Sequence, residues 1–152
     1  MNMKLSIETL QGVAHTGATM EKFVRLYYTD CKHLFHCSLQ RYFDLIKNLP
    51  YIADPHGIEF VSRPALTLTN KTLFRDCDDK AVLIGCYLYH KNIPFRFIAV
   101  SEKPTKELHH TLVEVQTEPK AYIDATYSKN RLFKLNKPFT RKDYISGVIK
   151  KG

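Results

Sequence analysis

The sequence predicts an α+β fold, helices first and an antiparallel sheet after them, on three observations. Apolar residues recur at helical spacing through the first half of the 152-residue chain, the turn Asn92-Ile93-Pro94 ends that pattern, and short runs rich in Phe, Val, Ile and Thr follow between polar turns. Segregated helices and strands favour this class over a parallel βαβ fold, which alternates them. With 44% hydrophobic and 12% aromatic residues the chain can bury a substantial core, and its length fits one domain. Within that domain the pattern separates an arm (residues 1–18), a core (19–127) and a basic C-terminal extension (128–152).

In the arm, Leu5, Ile7, Leu10 and Val13 are loosely spaced and Gly12 and Gly17 interrupt, so a short arm or frayed helix is expected. Met20, Phe23, Val24 and Tyr27 follow the i, i+3, i+4, i+7 template and predict a first helix over 19–30. Phe35, Leu39, Tyr42, Phe43, Ile46 and Leu49 mark a second, which ends before Pro50 because a residue preceding proline avoids the helical region. Asp54-Pro55-His56-Gly57 reads as a turn, residues 58–68 as extended chain, and Thr69-Asn70-Lys71 as another turn. The next helix is the most apolar, running from Cys77 to about residue 91. Ala81, Val82, Leu83, Ile84, Cys86, Tyr87 and Leu88 leave it almost no polar face, so it should be buried on most sides. Asp76 suits its N-cap and Asp79, three residues later, the reciprocal capping carboxylate. Strands are expected over 95–100, 110–115 and 121–126, the last two joined across Glu118-Pro119. Residues 133–139 read as an edge strand, where Pro138 is best tolerated, and 144–149 as a short further stretch.

Net charge is +8, and its distribution is uneven. Residues 128–152 carry eight Lys and Arg against Asp143 alone, while the rest of the chain is nearly balanced, 15 against 14. Such an extension suits an acidic partner, although a solvated basic end is the commoner outcome and nucleic acid the weaker candidate. No apolar run reaches the ~18 residues of a membrane span, so no membrane partner is expected. Residues 1–16 lack the basic start and apolar middle of a secretory signal, so a cytoplasmic or virion-associated protein is expected. The four cysteines, Cys31, Cys37, Cys77 and Cys86, are then expected as free thiols. Cys31, His33, His36 and Cys37 invite a metal reading, but their spacing fits no standard zinc module and a helix would spread them over more than one face. No metal and no cofactor are expected.

The chemistry centres on Cys77, placed on the first turn of the apolar helix. The positive helix end favours thiolate and pulls the pKa from ~8.5 toward neutrality, while Asp76, Asp78 and Asp79 oppose it. A cysteine nucleophile needs a base, and the base needs a group that fixes its tautomer. His110 and Asp124 are the candidates: they lie 14 residues apart on two strands of a hairpin, and an even separation lets both point to one face. Asp124 should face His110 directly or diagonally, with the Cys77 helix packing its N-terminus on that face. His109 alternates to the opposite side. The Cys77 backbone N–H and an upstream donor would hold the oxyanion, with Asn70 the candidate for the second. Cys86, nine residues beyond Cys77, belongs to the core. Read singly, each triad member also fits a structural role: core thiol, structural imidazole, capping carboxylate.

Four segments together resemble the transglutaminase-like superfamily: Asp76-Cys77-Asp78-Asp79-Lys80-Ala81-Val82-Leu83; Asn92-Ile93-Pro94-Phe95-Arg96-Phe97; His110-Thr111-Leu112-Val113-Glu114-Val115; and Tyr122-Ile123-Asp124-Ala125-Thr126. The small phage and bacterial members are the nearest in pattern, with segments similar to Tyr51–Glu59 and Pro64–Leu68 ahead of the cysteine. The resemblance runs over about residues 19–127. It implies a papain-like core, with Cys77 as nucleophile, His110 as base and Asp124 as its orienter. It further implies attack on an amide or peptide carbonyl of a protein or peptide substrate, through a thioester that an amine or water resolves. Arg75 departs from the family's glycine and Ala125 from its proline, and the frequent tryptophan before the aspartate is missing. Arg75 beside the thiol would narrow the entrance or favour an acidic substrate. The competing expectation is a binding or virion-structural module that keeps the fold, leaves the chemistry unused and works through its basic extension.

Overall fold

A computed structural model describes residues 7–10, 13–54, 59–69 and 74–152. The chain adopts the α+β arrangement, with helices packed on a four-stranded antiparallel sheet. In order the elements are β1 (Ile7–Leu10), α1 (Val13–Tyr27), a 3₁₀ segment (Tyr28–Leu34), α2 (Leu39–Lys47), β2 (Glu59–Ser62), α3 (Pro64–Thr67), α4 (Cys77–His90), β3 (Phe95–Ser101), β4 (His110–Val115), β5 (Ala121–Ile123) and β6 (Arg141–Tyr144). Strand order in the main sheet is β5-β4-β3-β6, and β1 pairs with β2 in a separate two-stranded ribbon. No helix among the described residues is long and apolar enough to cross a membrane.

The buried helix forms as its local signals dictate. Asp76 accepts the N–H groups of Asp78 and Asp79, and the Asp79 carboxylate accepts the Asp76 N–H at 3.1 Å, closing a capping box. Val82, Leu83, Ile84, Cys86 and Leu88 are at most 1% exposed, so α4 is the axis of the core. Around it pack Met20, Phe23 and Val24 of α1, Tyr42, Phe43 and Ile46 of α2, and Val113 and Val115 of β4. The other sheet face carries a smaller cluster of Ile98, Val100 and Leu112, joined by Tyr122 and Phe139.

Four expectations need correction. In the described part of the arm, residues 7–10 form a strand and α1 begins at Val13 rather than residue 19. Gly17 lies inside that helix because a Cβ there would overlap the Ile145 carbonyl; the glycine permits close approach of the C-terminal segment. Residues 58–68 are only partly extended, since Pro64 starts a one-turn helix, a position where its missing N–H costs nothing. Residues 133–139 form no strand. The edge position beside β3 goes to β6, and the segment ahead of it is a loop held by the buried Asn130, whose Oδ1 takes the Asn136 N–H at 2.8 Å. β5 ends at Ile123, three residues short of the expected strand, which frees Asp124 for side-chain work. The turn at Asp54-Pro55-His56-Gly57 and most of the one at Thr69-Asn70-Lys71 lie outside the described residues.

All four cysteines are free. Cys31 and Cys86 are buried thiols in contact, with Tyr42 against Cys31. Among the described residues no group of three His, Cys, Asp or Glu side chains is arranged to hold a metal.

Candidate active site

The site lies where the N-terminus of α4 meets the β4–β5 hairpin. Register follows from alternation: Val113 pairs with Ile123 and Glu114 with Tyr122, so Asp124, one step on, stands diagonal to His110. The two side chains meet. His110 Nε2 lies 2.7 Å from Asp124 Oδ2, and both side chains are 4% exposed. Asp124 Oδ1 accepts the Thr126 N–H at 3.0 Å, so with His110 on Oδ2 both carboxylate oxygens are held, and the Asp124 backbone carbonyl accepts Asn130 Nδ2 at 3.2 Å. An acceptor carboxylate on Nε2 directs the proton to that nitrogen and leaves Nδ1 as the basic one.

Cys77 reaches the hairpin through backbone. Gln116 donates its N–H to Pro94, so even-numbered amides of β4 point to β3 and odd-numbered ones to β5. Because β5 has ended at Ile123, the Thr111 N–H has no strand partner there, and it lies close enough to the Cys77 sulfur to pull the thiol pKa down. The thiol meets the strand at Thr111, the chain neighbour of His110, and Asp124 also lies near enough to act on it.

Electrostatics at the thiol run against the helix end. Burial pushes the Cys77 thiol well up, Asp78 and Asp76 push the same way, and the Thr111 N–H pulls only partly back. Cys77 Sγ donates to Asp78 Oδ1 at 3.9 Å, and among the described residues no hydrogen bond joins it to His110. Among these influences burial and the carboxylates outweigh the helix end, a contest the sequence leaves open. Of the first α4 amides, those of Asp78 and Asp79 go to the Asp76 side chain and that of Lys80 to the Asp76 carbonyl. The Cys77 N–H remains uncommitted among the described residues, as an oxyanion donor must be. Asn70, the candidate second donor, lies outside the described residues.

Arg75 does not line an entrance. Its guanidinium turns inward and donates to the carbonyls of Thr67, Pro50 and Thr69 at 2.8, 3.0 and 2.8 Å, tying two loops to the start of α4. It is a positioning residue and not a substrate anchor. Asp79 does similar work, accepting the Ser62 N–H at 2.8 Å, and Asp54 accepts that of Phe60 at 2.8 Å, so two carboxylates hold β2 beside the site. Burial raises the pKa of Asp54, Asp76 and Asp79 alike, and for Asp76 and Asp79 neighbouring carboxylates add to the rise.

Several residues at the site escaped sequence reasoning. Lys80, 2% exposed, donates to the Lys47 and Ala125 carbonyls at 3.0 and 3.4 Å, and burial lowers its pKa to about 8. Tyr127 stacks on His110 with centroids 4.7 Å apart and donates to Glu102 at 3.1 Å. Partial burial and the nearby Asp76, Asp54 and Asp78 carboxylates push the Tyr51 phenol up to about 12, which places it on the same end of α4. His109 precedes β4 and turns to Glu102, accepting its N–H at 2.9 Å and lying 3.8 Å from the carboxylate that Tyr127 also holds. Only the backbone contact had a readable signal, the alternation of amides along β4. No family model matches this chain, and no curated protein or solved structure does either.

Proposed function

We propose that the protein is a transglutaminase-like cysteine enzyme that opens amide or peptide bonds through a thioester, with Cys77 as nucleophile, His110 as base and Asp124 as orienter. The observation that carries this reading is the buried 2.7 Å His110–Asp124 pair, with the Cys77 sulfur close enough to Asp124 and the adjoining Thr111 amide for both to act on its proton. A buried imidazole with one nitrogen committed to carboxylate is set up to gain and lose a proton at the other. As substrate enters, the Cys77 proton passes to His110 Nδ1 and sulfur attacks the carbonyl carbon. Asp124 stabilises the imidazolium, and the Cys77 N–H takes the oxyanion. Collapse breaks the C–N bond, His110 returns the proton to departing ammonia or amine, and the acyl group stays on sulfur. A second amine then gives a cross-link, or water gives an acid, with His110 taking and returning the proton again. The protein thus acts on protein or peptide carboxamides without a cofactor in this step.

The raised thiol pKa fits general-base attack rather than a standing thiolate–imidazolium pair. The same observation favours the second reading, a module of this fold that leaves the thiol unused. The test is incubation with glutamine-bearing protein and a fluorescent primary amine, following ammonia release, label incorporation and acyl adducts on the Cys77 peptide by mass spectrometry. Cys77-dependent ammonia release with an adduct is expected, label distinguishing transfer from hydrolysis. Absence of adduct and ammonia over a broad set of carboxamide and peptide substrates favours the unused module.

A further inference from the structure

The basic extension is a built loop. Asn130, 2% exposed, ties it to the Asp124 carbonyl and to the Asn136 amide, and Lys47 Nζ donates to the Asn130 carbonyl at 3.3 Å. Arg131 and Lys134 exchange backbone hydrogen bonds, both 2.9 Å, around a tight turn of Leu132 and Phe133. Phe133 sits at φ 61° and is 51% exposed, so a bulky apolar ring is held outward in a conformation that disfavours it. Beside it, Lys129, Arg131, Lys134, Leu135 and Asn136 line a recess of about 250 Å³ with no acidic residue.

Charge pairing separates this loop from the β6 strand that follows it. Arg141 is bound to Asp143 at 2.6 Å and Lys142 to Glu114 at 2.7 Å. Lys129, Arg131, Lys134 and Lys137, all exposed, make no ion pair among the described residues. Unpaired cations around a recess, with a flat ring presented between two of them, are the elements of single-strand recognition: cations follow phosphates and a base stacks on the aromatic face.

We propose that residues 129–137 form a binding site for single-stranded nucleic acid, backbone phosphates seated by Lys129, Arg131 and Lys134 and a base stacked on Phe133. The cations alone would serve an acidic peptide equally well. The exposed ring decides for nucleic acid, because every base offers it a planar partner. The site is independent of the acyl chemistry, so Cys77→Ser leaves it intact.

Fluorescence anisotropy of a labelled oligothymidylate, titrated with the full chain over a salt series, tests the proposal. Three phosphate contacts predict a log–log salt slope of about −2, abolished in Lys129→Gln/Arg131→Gln/Lys134→Gln. Phe133→Asn suits positive φ better than phenylalanine, so it keeps the turn; loss of stacking should weaken binding about tenfold with the salt slope unchanged. Undetectable binding at low salt, an unchanged triple variant, an unchanged Phe133→Asn affinity, or equal displacement by polyglutamate of matched charge each overturns the assignment.

Discussion

The two halves of α4 are equally buried and held by different physics. In the first turn Asp79 and Lys80 are 1% and 2% exposed; one turn later Val82, Leu83 and Ile84 are fully buried. The second half gains stability from area removed from water and from close packing, neither of which depends on pH. The first half buries charge, which is tolerated only because each group is bonded: Asp76 and Asp79 in the capping box, Arg75 on three carbonyls, Lys80 on two. One end of a single helix therefore serves as core and the other as a polar platform around a thiol. The contrast teaches that burial alone says little about what a residue contributes; its bonds and protonation do.

Substitutions sharpen this contrast. The largest effect expected is chemical: Cys77→Ala should remove thioester turnover, a fall of about 10³-fold or more, while melting temperature changes little. Paired activity and thermal-melt measurements check it, and a large stability loss would show that Cys77 belongs to the core after all. Leu83→Ala, in the apolar half, should cost about 3 kcal/mol in urea unfolding, equally at pH 5 and pH 8. Arg75→Met should cost about 2 kcal/mol, since three carbonyls lose a charged donor, and should also slow Cys77 chemistry by loosening the loops beside it.

The smallest effect is a change of slope with pH. Asp76 and Asp79 have folded pKa values above their unfolded ones, so the stability linked to their protons is fully present below about pH 4 and is lost as pH rises through the folded values. Asp76→Asn keeps the capping oxygen but no longer titrates. Thermal melts from pH 4 to 9 should show the variant losing less stability than the parent as pH rises. Lys80 works in the other direction: its pKa falls from 10.5 to about 8, so its penalty is present below that value and fades as pH rises toward 10.5. Lys80→Met should therefore gain most below pH 8.

What was legible in the sequence was local or periodic. The capping box at Asp76 and Asp79 is a three-residue signal, and it forms as read. The meeting of His110 and Asp124 follows from strand alternation, provided the register holds, and it does. What was not legible depended on distant partners. Gly17 looks like a helix breaker until Ile145 is seen against it, and the direction of Arg75 is decided by carbonyls as far away as Pro50. Residues 133–139 carry a strand-like pattern, yet Asn130 organises their neighbourhood into a loop and leaves the sheet edge to residues 141–144. The thiol pKa was a contest of known signs whose outcome needed the depth of burial.

Cys77, His110 and Asp124 are proposed to work as one site. The most direct test is cysteine-resolved alkylation by iodoacetamide at pH 7, read by peptide mass spectrometry in the parent, His110→Ala and Asp124→Asn proteins, with Cys37 as internal control. Loss of the base should slow Cys77 about 100-fold and loss of its orienter somewhat less, while Cys37 is unchanged. A Cys77 rate that is the same in all three proteins would contradict the account.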